Sequence, residues 1–263
     1  MKAPRFSRKM LCIPYAVFLI FFVILPMLVI LFFAFTDSNN HFRLSNFGNF
    51  FSDPSKISTI AYSIVIALVT TVITLLIAYP VAYILARSKM KKKYIILMLF
   101  VAPMWINFVL RVNAIRELLN WLRLLGEANY FNTIFGMVYD FLPFMILPLY
   151  TTMLKIDNSL YEASADLGAG RFTTFTRITL PLSMPGIMSG ITMVFLPSMT
   201  NYVVSDMLGN SKVTIIGKFI AEYFASDWHM GSMVALILLI VVFVSTWLSG
   251  GFKADETVRG TNL

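Results

Sequence analysis

Long apolar stretches recur along the chain, and short polar segments that contain most of the charges separate them. The uncharged stretches are residues 10–36, 57–86, 94–110, 178–205 and 228–252, and a further stretch, 133–154, is interrupted only by Asp140. A helix that crosses a bilayer needs about 20 apolar residues, so each stretch has room for one crossing. The pattern predicts an all-α polytopic membrane protein in which 1–263 form a single transmembrane domain. The six predicted helices are approximately 11–35, 59–86, 94–112, 134–154, 185–205 and 232–251.

The composition agrees with a membrane protein. The 263 residues are 58% hydrophobic and 13% charged, with a mean hydropathy of +0.78. Soluble domains contain about 25% charged residues, so a soluble globular protein is excluded. The net charge of +8 does not indicate a nucleic-acid partner, because the basic residues cluster at the ends of apolar stretches. Cys12 is the single cysteine, which rules out an internal disulfide and a cysteine-rich metal site.

The distribution of charge predicts the orientation in the membrane. If six helices alternate and the N-terminus is inside, one side has a net charge of +9 and the other −1. The basic residues on the positive side are Lys2, Arg5, Arg8, Lys9, Arg87, Lys89, Lys91, Lys92, Lys93, Lys155, Arg171, Arg177, Lys253 and Arg259. Because Lys and Arg accumulate in cytoplasmic loops, both termini are predicted to be cytoplasmic.

Two further patterns concern helix packing. In the segment 113–132, the apolar residues Ile115, Leu118, Leu119 and Leu122 fall on one helical face. This spacing predicts an amphipathic helix in the outer membrane interface. Gly186 and Gly190 form a GxxxG pair, which permits close packing of helices but is common in membrane proteins.

The segment 155–184 is too polar to cross a membrane and has a regular pattern. Ser159 and Glu162 have the spacing of a capping box, which predicts a helix starting at Ser159. Gly168 and Gly170 predict its end near Leu167. A second short helix is expected over 171–178, and we expect Pro181 and Pro185 to break the chain before the fifth crossing. The segment is therefore predicted to be a helical elbow on the cytoplasmic side.

This elbow resembles a motif of the permease subunits of bacterial ATP-binding-cassette importers. The motif is E-A-A-x3-G-x9-I-x-L-P, and the matching residues are Glu162, Ala163, Ser164, Gly168, Ile178, Leu180 and Pro181. Ser164 replaces the usual alanine, a small-for-small change that should leave docking intact. The simpler alternative is an ordinary helical hairpin whose glycines only shape a bend.

The resemblance implies the type I importer permease architecture in a bacterial inner membrane. In that family the elbow is a coupling helix that fits a groove of the ATPase subunit, so Glu162, Ala163 and Gly168 would lie at the contact and its turn, and Ser159 at its start. The implied partners are cytoplasmic ATPase subunits, a second permease subunit that forms a heterodimer with this one, an extracytoplasmic binding protein and membrane lipid.

Three further segments resemble the permeases of spermidine/putrescine importers. They are 102–111, which begins Ala-Pro-Met-Trp, 142–150, and 202–209, which begins Tyr-Val-Val-Ser-Asp. The resemblance implies transport of polyamines, which are flexible multivalent cations. A path for such a cation needs carboxylates and aromatic faces, and acids within membrane segments usually mark a pathway or an ion pair.

The candidate residues for this path are Asp206, Asp140, Tyr202, Trp105 and Tyr139. Asp140 and Asp206 are the acids in, or at the edge of, the predicted crossings. Asp206 could instead form a salt bridge with Lys212, and Asp140 could pair with Arg111 or Arg123. Tyr and Trp residues are also enriched at membrane interfaces, which is the simpler explanation for the three aromatic candidates.

No sequence motif indicates catalysis by this chain. The phosphate-binding loop G-x-x-x-x-G-K-[ST] is missing, so ATP hydrolysis is expected in a partner subunit, and neither H-E-x-x-H nor G-x-S-x-G occurs. No cofactor or metal is predicted. Two alternatives to a polyamine importer are an ATP-driven importer of another small solute and a secondary transporter driven by an ion gradient. The latter would be expected to show internal repeats and buried charges near the membrane midplane, which are not evident.

Overall fold

A computed structural model describes residues 12–37, 39, 41–125, 129–209 and 213–248, and this part of the chain is almost entirely helical. Five helices are long and apolar enough to cross a membrane. They are α1 (Cys12–Ala34), α3 (Pro54–Arg87), α6 (Asn129–Leu154), α8 (Arg171–Thr200) and α11 (Trp228–Leu248). The shorter helices are α2 (Ser45–Phe51), α4 (Lys93–Trp105), α5 (Phe108–Trp121), α7 (Asn158–Asp166), α9 (Tyr202–Leu208) and α10 (Ile216–Ser226). The prediction of an all-α membrane protein is confirmed.

A bent pair of helices takes the place of the helix predicted over 94–112. α4 and α5 are together long and apolar enough for a sixth span, but they meet at an angle of 101°. The prediction of one helix over 94–112 is therefore wrong. The last turn of α4 narrows to a 3-10 helix at Ala102–Trp105, and the side chain of Asn107 caps α5 by accepting a hydrogen bond from the backbone N–H of Val109. Pro103 favours this termination because proline cannot donate the backbone bond that a longer helix needs.

The amphipathic helix predicted for 113–132 is therefore shifted. It is α5, which begins at Phe108, before the predicted start, and ends at Trp121. Ile115 and Leu119 are buried as the pattern indicated, whereas half of the Leu118 side chain is exposed.

The fifth predicted crossing, 185–205, also differs from the structure. α8 runs without a break from Arg171 to Thr200, so the predicted break at Pro181 and Pro185 is wrong. A wider π-helical turn at Phe175–Thr179 precedes Pro181, and such a turn relieves the clash between a proline ring and the preceding turn. α8 ends at Thr200, and after the cap residue Asn201 the chain forms the separate helix α9.

The other four boundaries are close to the predicted ones. α1 matches 11–35 within one residue at each end, and α3 and α6 each begin five residues before the predicted 59–86 and 134–154. The last helix, predicted over 232–251, begins four residues earlier, at Trp228, and residues 249–251 lie outside the described part of the chain.

The described residues fall into two compact units. The first contains α1, α2 and the first part of α11, and in it the ring of His229 packs edge-on against Phe33 at 5.2 Å between centroids. Within α1, Ala34 is buried and most of the large apolar side chains are exposed. A helix with exposed apolar side chains along most of its length suits contact with lipid.

The second unit contains the helices from α3 to α9, and α6 and α8 pack closely at its centre. A Cβ atom added at Gly186 would come within 2.9 Å of the Pro148 carbonyl oxygen, and one at Gly190 within 2.4 Å of the Met145 sulfur. The GxxxG pair of α8 therefore lets the two helices approach closely, as its spacing indicated.

Candidate functional site

The elbow runs from Asp157 to Pro181, and its two arms are α7 and the first turns of α8. It begins with a capped helix. Oδ1 of Asp157 accepts a hydrogen bond from the backbone N–H of Ser159 at 3.0 Å, so Asp157 is the N-cap and α7 starts at Asn158. The predicted capping box with Ser159 as the cap is therefore wrong by two positions. Asp157 competes successfully because a carboxylate is a strong acceptor at a helix start. The bond to the Ser159 N–H lowers the pKa of Asp157 below its ordinary value.

The end of α7 is a glycine turn, as predicted. Gly168 has φ +74°, a left-handed conformation that glycine adopts without strain. The Gly168 N–H donates to the Ala165 carbonyl at 2.9 Å, and the Ala169 N–H donates to the Ser164 carbonyl at 3.0 Å. This pair of bonds is the Schellman motif, which satisfies the last carbonyls of a helix.

Two hydroxyl groups join the arms of the elbow. The Ser164 side chain is 6% exposed, and its Oγ lies 2.7 Å from Oγ1 of Thr174 at the start of α8. Thr174 also donates to the Gly170 carbonyl at 3.2 Å. The serine that departs from the importer motif therefore has a structural partner that alanine would lack.

The elbow is also attached to the end of α3. The Arg87 guanidinium lies 3.5 Å from the centroid of the Tyr161 ring and donates a hydrogen bond to Oδ1 of Asn158 at 2.5 Å. Thr179 in α8 contacts the Tyr161 hydroxyl at 3.3 Å. Tyr161 thus connects α3, α7 and α8, an arrangement in which arginine stacking and hydrogen bonding act together.

The outer surface of the elbow is exposed and carries two large apolar side chains. Leu167 is 87% exposed and Phe172 is 80% exposed. A groove of about 620 Å³ lies between the arms and is lined by Leu160, Ala163, Ser164, Leu167, Gly168, Ala169, Gly170, Thr173, Arg177 and Ile178. Four motif residues therefore line the groove: Ala163, Ser164, Gly168 and Ile178. Glu162 is exposed, and Leu180 and Pro181 belong to α8.

Asp140 forms a buried ion pair. Its Oδ1 accepts a hydrogen bond from Nε of Arg111 at 2.6 Å, and Asp140 is 1% and Arg111 9% exposed. Nη1 of Arg111 also donates to the Pro103 carbonyl at 2.9 Å, across the bend between α4 and α5. Of the two structural partners that the sequence left open, Arg111 is the one the structure shows. Oδ2 of Asp140 has no hydrogen-bond partner within the described residues.

Asp206 also has a cationic partner within the described part of the chain. Its Oδ1 accepts from Nζ of Lys218 at 2.8 Å, whereas Lys212 lies outside the described residues. The Asp206 side chain is 44% exposed. The three aromatic candidates Tyr202, Trp105 and Tyr139 are all exposed, with Trp105 at 80%. The two acids therefore occupy different environments, one closed and one partly open.

The sequence did not indicate several residues that the geometry brings into these sites. Arg87, Tyr161 and Thr174 hold the elbow, and they lie far from one another or outside the importer motif. Asn132 lies on α6 with a buried amide oxygen that has no partner within the described residues. No local spacing predicts such contacts, because they depend on which helices become neighbours.

Comparison with known proteins places this geometry in a family. A family model described as the binding-protein-dependent transport system inner membrane component matches residues 78–252. The spermidine/putrescine transport system permease protein PotB of Escherichia coli is 34% identical over 247 residues, which cover 85% of this chain and 90% of the relative. The protein of the same name from Haemophilus influenzae is 36% identical over 247 residues, covering 85% and 86%.

Solved structures show the same fold. A bacterial ABC transporter involved in the import of the acidic polysaccharide alginate matches with a TM-score of 0.71 and 17% identity, over 97% of this chain and 96% of the other. The alginate transporter in complex with an alginate pentasaccharide-bound periplasmic protein matches with a TM-score of 0.76 and 16% identity, over 95% and 94%. At this identity the likeness concerns the fold alone. The family model, the two relatives and the elbow agree: this chain belongs to the binding-protein-dependent transport system inner membrane components, the permease subunits of ABC importers.

Proposed function

We propose that this chain is a permease subunit of an ATP-driven importer for polyamines such as spermidine and putrescine. The elbow supports an ATP-driven mechanism, because its groove is lined by the motif residues Ala163, Ser164, Gly168 and Ile178. The names of the relatives, which are spermidine/putrescine permeases, support the substrate. The observation that carries the proposal is the elbow of Asp157 to Pro181, whose arms are joined to each other and to α3.

The elbow is built to transmit movement. Its coupling residues are Ser159, Glu162, Ala163, Ser164, Gly168, Ile178, Leu180 and Pro181. The second arm continues into α8, a helix of 30 residues and therefore about 45 Å long. A displacement of the elbow by an ATPase subunit would move α8 as a rigid lever, which is how packed helices pass on a domain rotation.

The proposed complex contains further subunits. Six spans rarely enclose a polar route alone, so a second permease subunit would complete the path as a heterodimer. Cytoplasmic ATPase subunits would bind the elbow, and an extracytoplasmic binding protein would deliver the substrate. The excess of basic residues on the elbow side supports a multi-pass orientation in the bacterial inner membrane with both termini in the cytoplasm.

The proposed substrate path contains Asp206 and Asp140, with Tyr202, Trp105 and Tyr139 as aromatic contacts. Each carboxylate has a cationic partner, Lys218 or Arg111. An arriving ammonium group would compete with these partners for the same oxygen atoms. Asp206 is partly exposed and is therefore the accessible first contact.

The decisive experiment measures ATP hydrolysis by the complete complex in lipid. The chain is purified with its co-assembling subunits, and the binding protein is added alone or loaded with spermidine, putrescine or amino acids. We expect the polyamine-loaded binding protein to stimulate ATP hydrolysis and the binding protein mixed with amino acids to have no effect. Stimulation by another solute, but not by polyamines, would contradict the proposed substrate.

The control separates coupling from substrate choice. Gly168→Val is expected to leave the complex assembled but to remove the stimulation, because the elbow loses its left-handed turn. If the loaded binding protein still stimulated hydrolysis in this variant at the rate of the parent, the elbow would not be the coupling element.

A further inference from the structure

Two buried acceptor atoms of α6 have no hydrogen-bond partner within the described residues. They are Oδ1 of Asn132 and Oδ2 of Asp140. Asn132 and Asp140 are each 1% exposed. Buried polar atoms in proteins almost always have partners, so a row of them on one helix needs an explanation.

The unpaired atoms of Asn132 and Asp140 are both hydrogen-bond acceptors, and the two residues lie on the same side of α6. Asn132, Gly136 and Asp140 follow one another at intervals of four residues, so they lie in successive turns. The rise between Asn132 and Asp140 is about 12 Å. Asn132 is near the end of α6 that is distant from the elbow, and Asp140 is deeper in the span.

The short helix α9 covers this row. A Cβ atom added at Gly136 would lie 2.2 Å from Cδ1 of Leu208 and 3.1 Å from Cγ1 of Val204. Leu208 and Val204 are fully buried. Leu208 therefore fills the notch at Gly136, midway between the two acceptor residues. α9 is separated from α8 by Asn201, which has a non-helical conformation, so α9 is a separate element at this end of the unit.

We propose that Asn132 and Asp140 form an occluded binding site for the ammonium groups of the substrate, and that α9 is its cover. This inference rests on the proposed function and adds the subsite to it. A polyamine has only N–H donors at its charged ends, and the two free atoms are only acceptors. When α9 moves with the end of α8, Leu208 leaves the notch at Gly136, and one ammonium binds the Asn132 amide oxygen while another binds the free oxygen of Asp140. Arg111 retains the other oxygen and holds the carboxylate in place.

Cysteine accessibility tests the cover directly. In the complete complex with Cys12→Ser as the background, Asn132→Cys is treated with aminoethyl methanethiosulfonate, a thiol reagent that carries an ammonium group. The matched control is Met137→Cys, which is equally buried on α6 but faces Thr70 of α3. We expect Asn132→Cys to react during ATP-driven transport and not at rest, spermidine to slow the reaction, and Met137→Cys to stay unreactive. Adding Leu208→Ala, which weakens the seal, should raise the resting rate about tenfold or more.

A second measurement separates the subsite from the proposed function. Spermidine uptake is compared for Asn132→Leu, which has no acceptor, and Asn132→Ser, whose hydroxyl oxygen accepts without adding a charge; both lose the amide donor to the Leu124 carbonyl. We expect the leucine variant to need at least about tenfold more spermidine for half-maximal uptake, and the serine variant to stay closer to the parent. This inference is overturned, and the proposed function stands, if spermidine-loaded binding protein stimulates hydrolysis in the parent but Asn132→Cys never reacts. The same conclusion follows if the two uptake variants need the same spermidine concentration. Reaction that spermidine does not slow overturns the ammonium site.

Discussion

At the scale of single residues, the most consequential feature is the buried pair of Arg111 and Asp140. A charge in a membrane segment is costly unless it is paired, and here the guanidinium binds both a carboxylate oxygen and the Pro103 carbonyl. The pair therefore fixes the bend between α4 and α5 against α6. The other carboxylate oxygen has no partner among the described residues, so the same residue can serve the fold and the proposed path.

Removing one partner of the Arg111–Asp140 pair should destabilise the protein much more than removing both. Arg111→Met leaves a buried carboxylate without a counter-ion, and we expect a loss of about 3–5 kcal/mol of stability. The double variant Arg111→Met with Asp140→Leu has no buried charge and should recover most of the folded yield. The monodisperse fraction after extraction into detergent measures this. A double variant as unstable as Arg111→Met would show that the pair is not the cause. The recovered double variant should still fail to transport polyamine.

The hydroxyl pair of Ser164 and Thr174 makes a similar prediction for the elbow. Thr174→Val leaves the buried Ser164 hydroxyl without its partner at a cost of about 1–3 kcal/mol, whereas Ser164→Ala with Thr174→Val removes both hydroxyls at a smaller cost. We expect the melting temperature of the purified complex to fall for Thr174→Val and to recover in the double variant. Thr176→Val, which removes only a bond to its own helix, is the control. Strictly additive effects of the two substitutions would mean that the hydroxyls do not interact.

At the scale of elements, α7 and the start of α8 form one mechanical piece. The Schellman turn at Gly168 sets the angle between the two arms, and the hydroxyl groups of Ser164 and Thr174 hold the arms together. Arg87 attaches the piece to α3. The continuity of α8 past Pro181 matters for the proposed coupling, because a continuous helix would transmit motion that a broken one would absorb.

Gly168 should tolerate a residue that accepts a left-handed backbone. A Cβ atom at this position would meet no atom of the described residues within 4 Å, so the obstacle to substitution that the structure shows is φ +74°. Asparagine populates this region and a β-branched residue avoids it. We expect Gly168→Asn to keep most ATP-driven uptake and Gly168→Val to lose it, with equal amounts of both in the membrane. Equal loss in both variants would point to a direct contact of Gly168 with a partner instead.

The cap of α7 predicts a specific dependence on pH. Because the pKa of Asp157 is lowered in the folded state, its contribution is complete above the ordinary value near 3.8 and disappears as the pH falls through the lower folded value. Coupling should therefore not change through this group between about pH 5 and 8. Asp157→Ala should accelerate amide hydrogen exchange at Ser159 at neutral pH, and Asp157→Asn, which still caps, should not. Unchanged exchange in the alanine variant would refute the role of the cap.

At the scale of the whole molecule, charge and topology are linked. The segment between α3 and α4 contains Arg87, Lys89, Lys91, Lys92 and Lys93, on the same predicted side as the elbow. In the Cys12→Ser background, Lys91→Cys should be labelled by a membrane-impermeant thiol reagent only after the cells are opened. Asn120→Cys, an exposed position in α5, should be labelled in intact spheroplasts. The reverse pattern would invert the proposed orientation.

The class of the fold, its five or six apolar spans and the glycine turn of the elbow could be predicted because they depend on local chemistry. A helix needs a certain apolar length to cross a bilayer, and a glycine such as Gly168 supplies the left-handed turn that ends one. The errors arose where neighbouring turns compete. Asp157 displaced Ser159 as the cap, and a π-helical turn carried α8 past Pro181.

By itself, the sequence determined the membrane class, the spans and the motif of the elbow, since hydropathy and spacing act over one helix or one loop. Only the tertiary structure decided which groups from distant segments meet. It paired Asp140 with Arg111 and Asp206 with Lys218, joined Ser164 to Thr174, and seated Leu208 on Gly136. The reason is physical: a buried polar atom binds whatever donor or acceptor the packing of helices brings within about 3 Å, and linear spacing does not determine that neighbour.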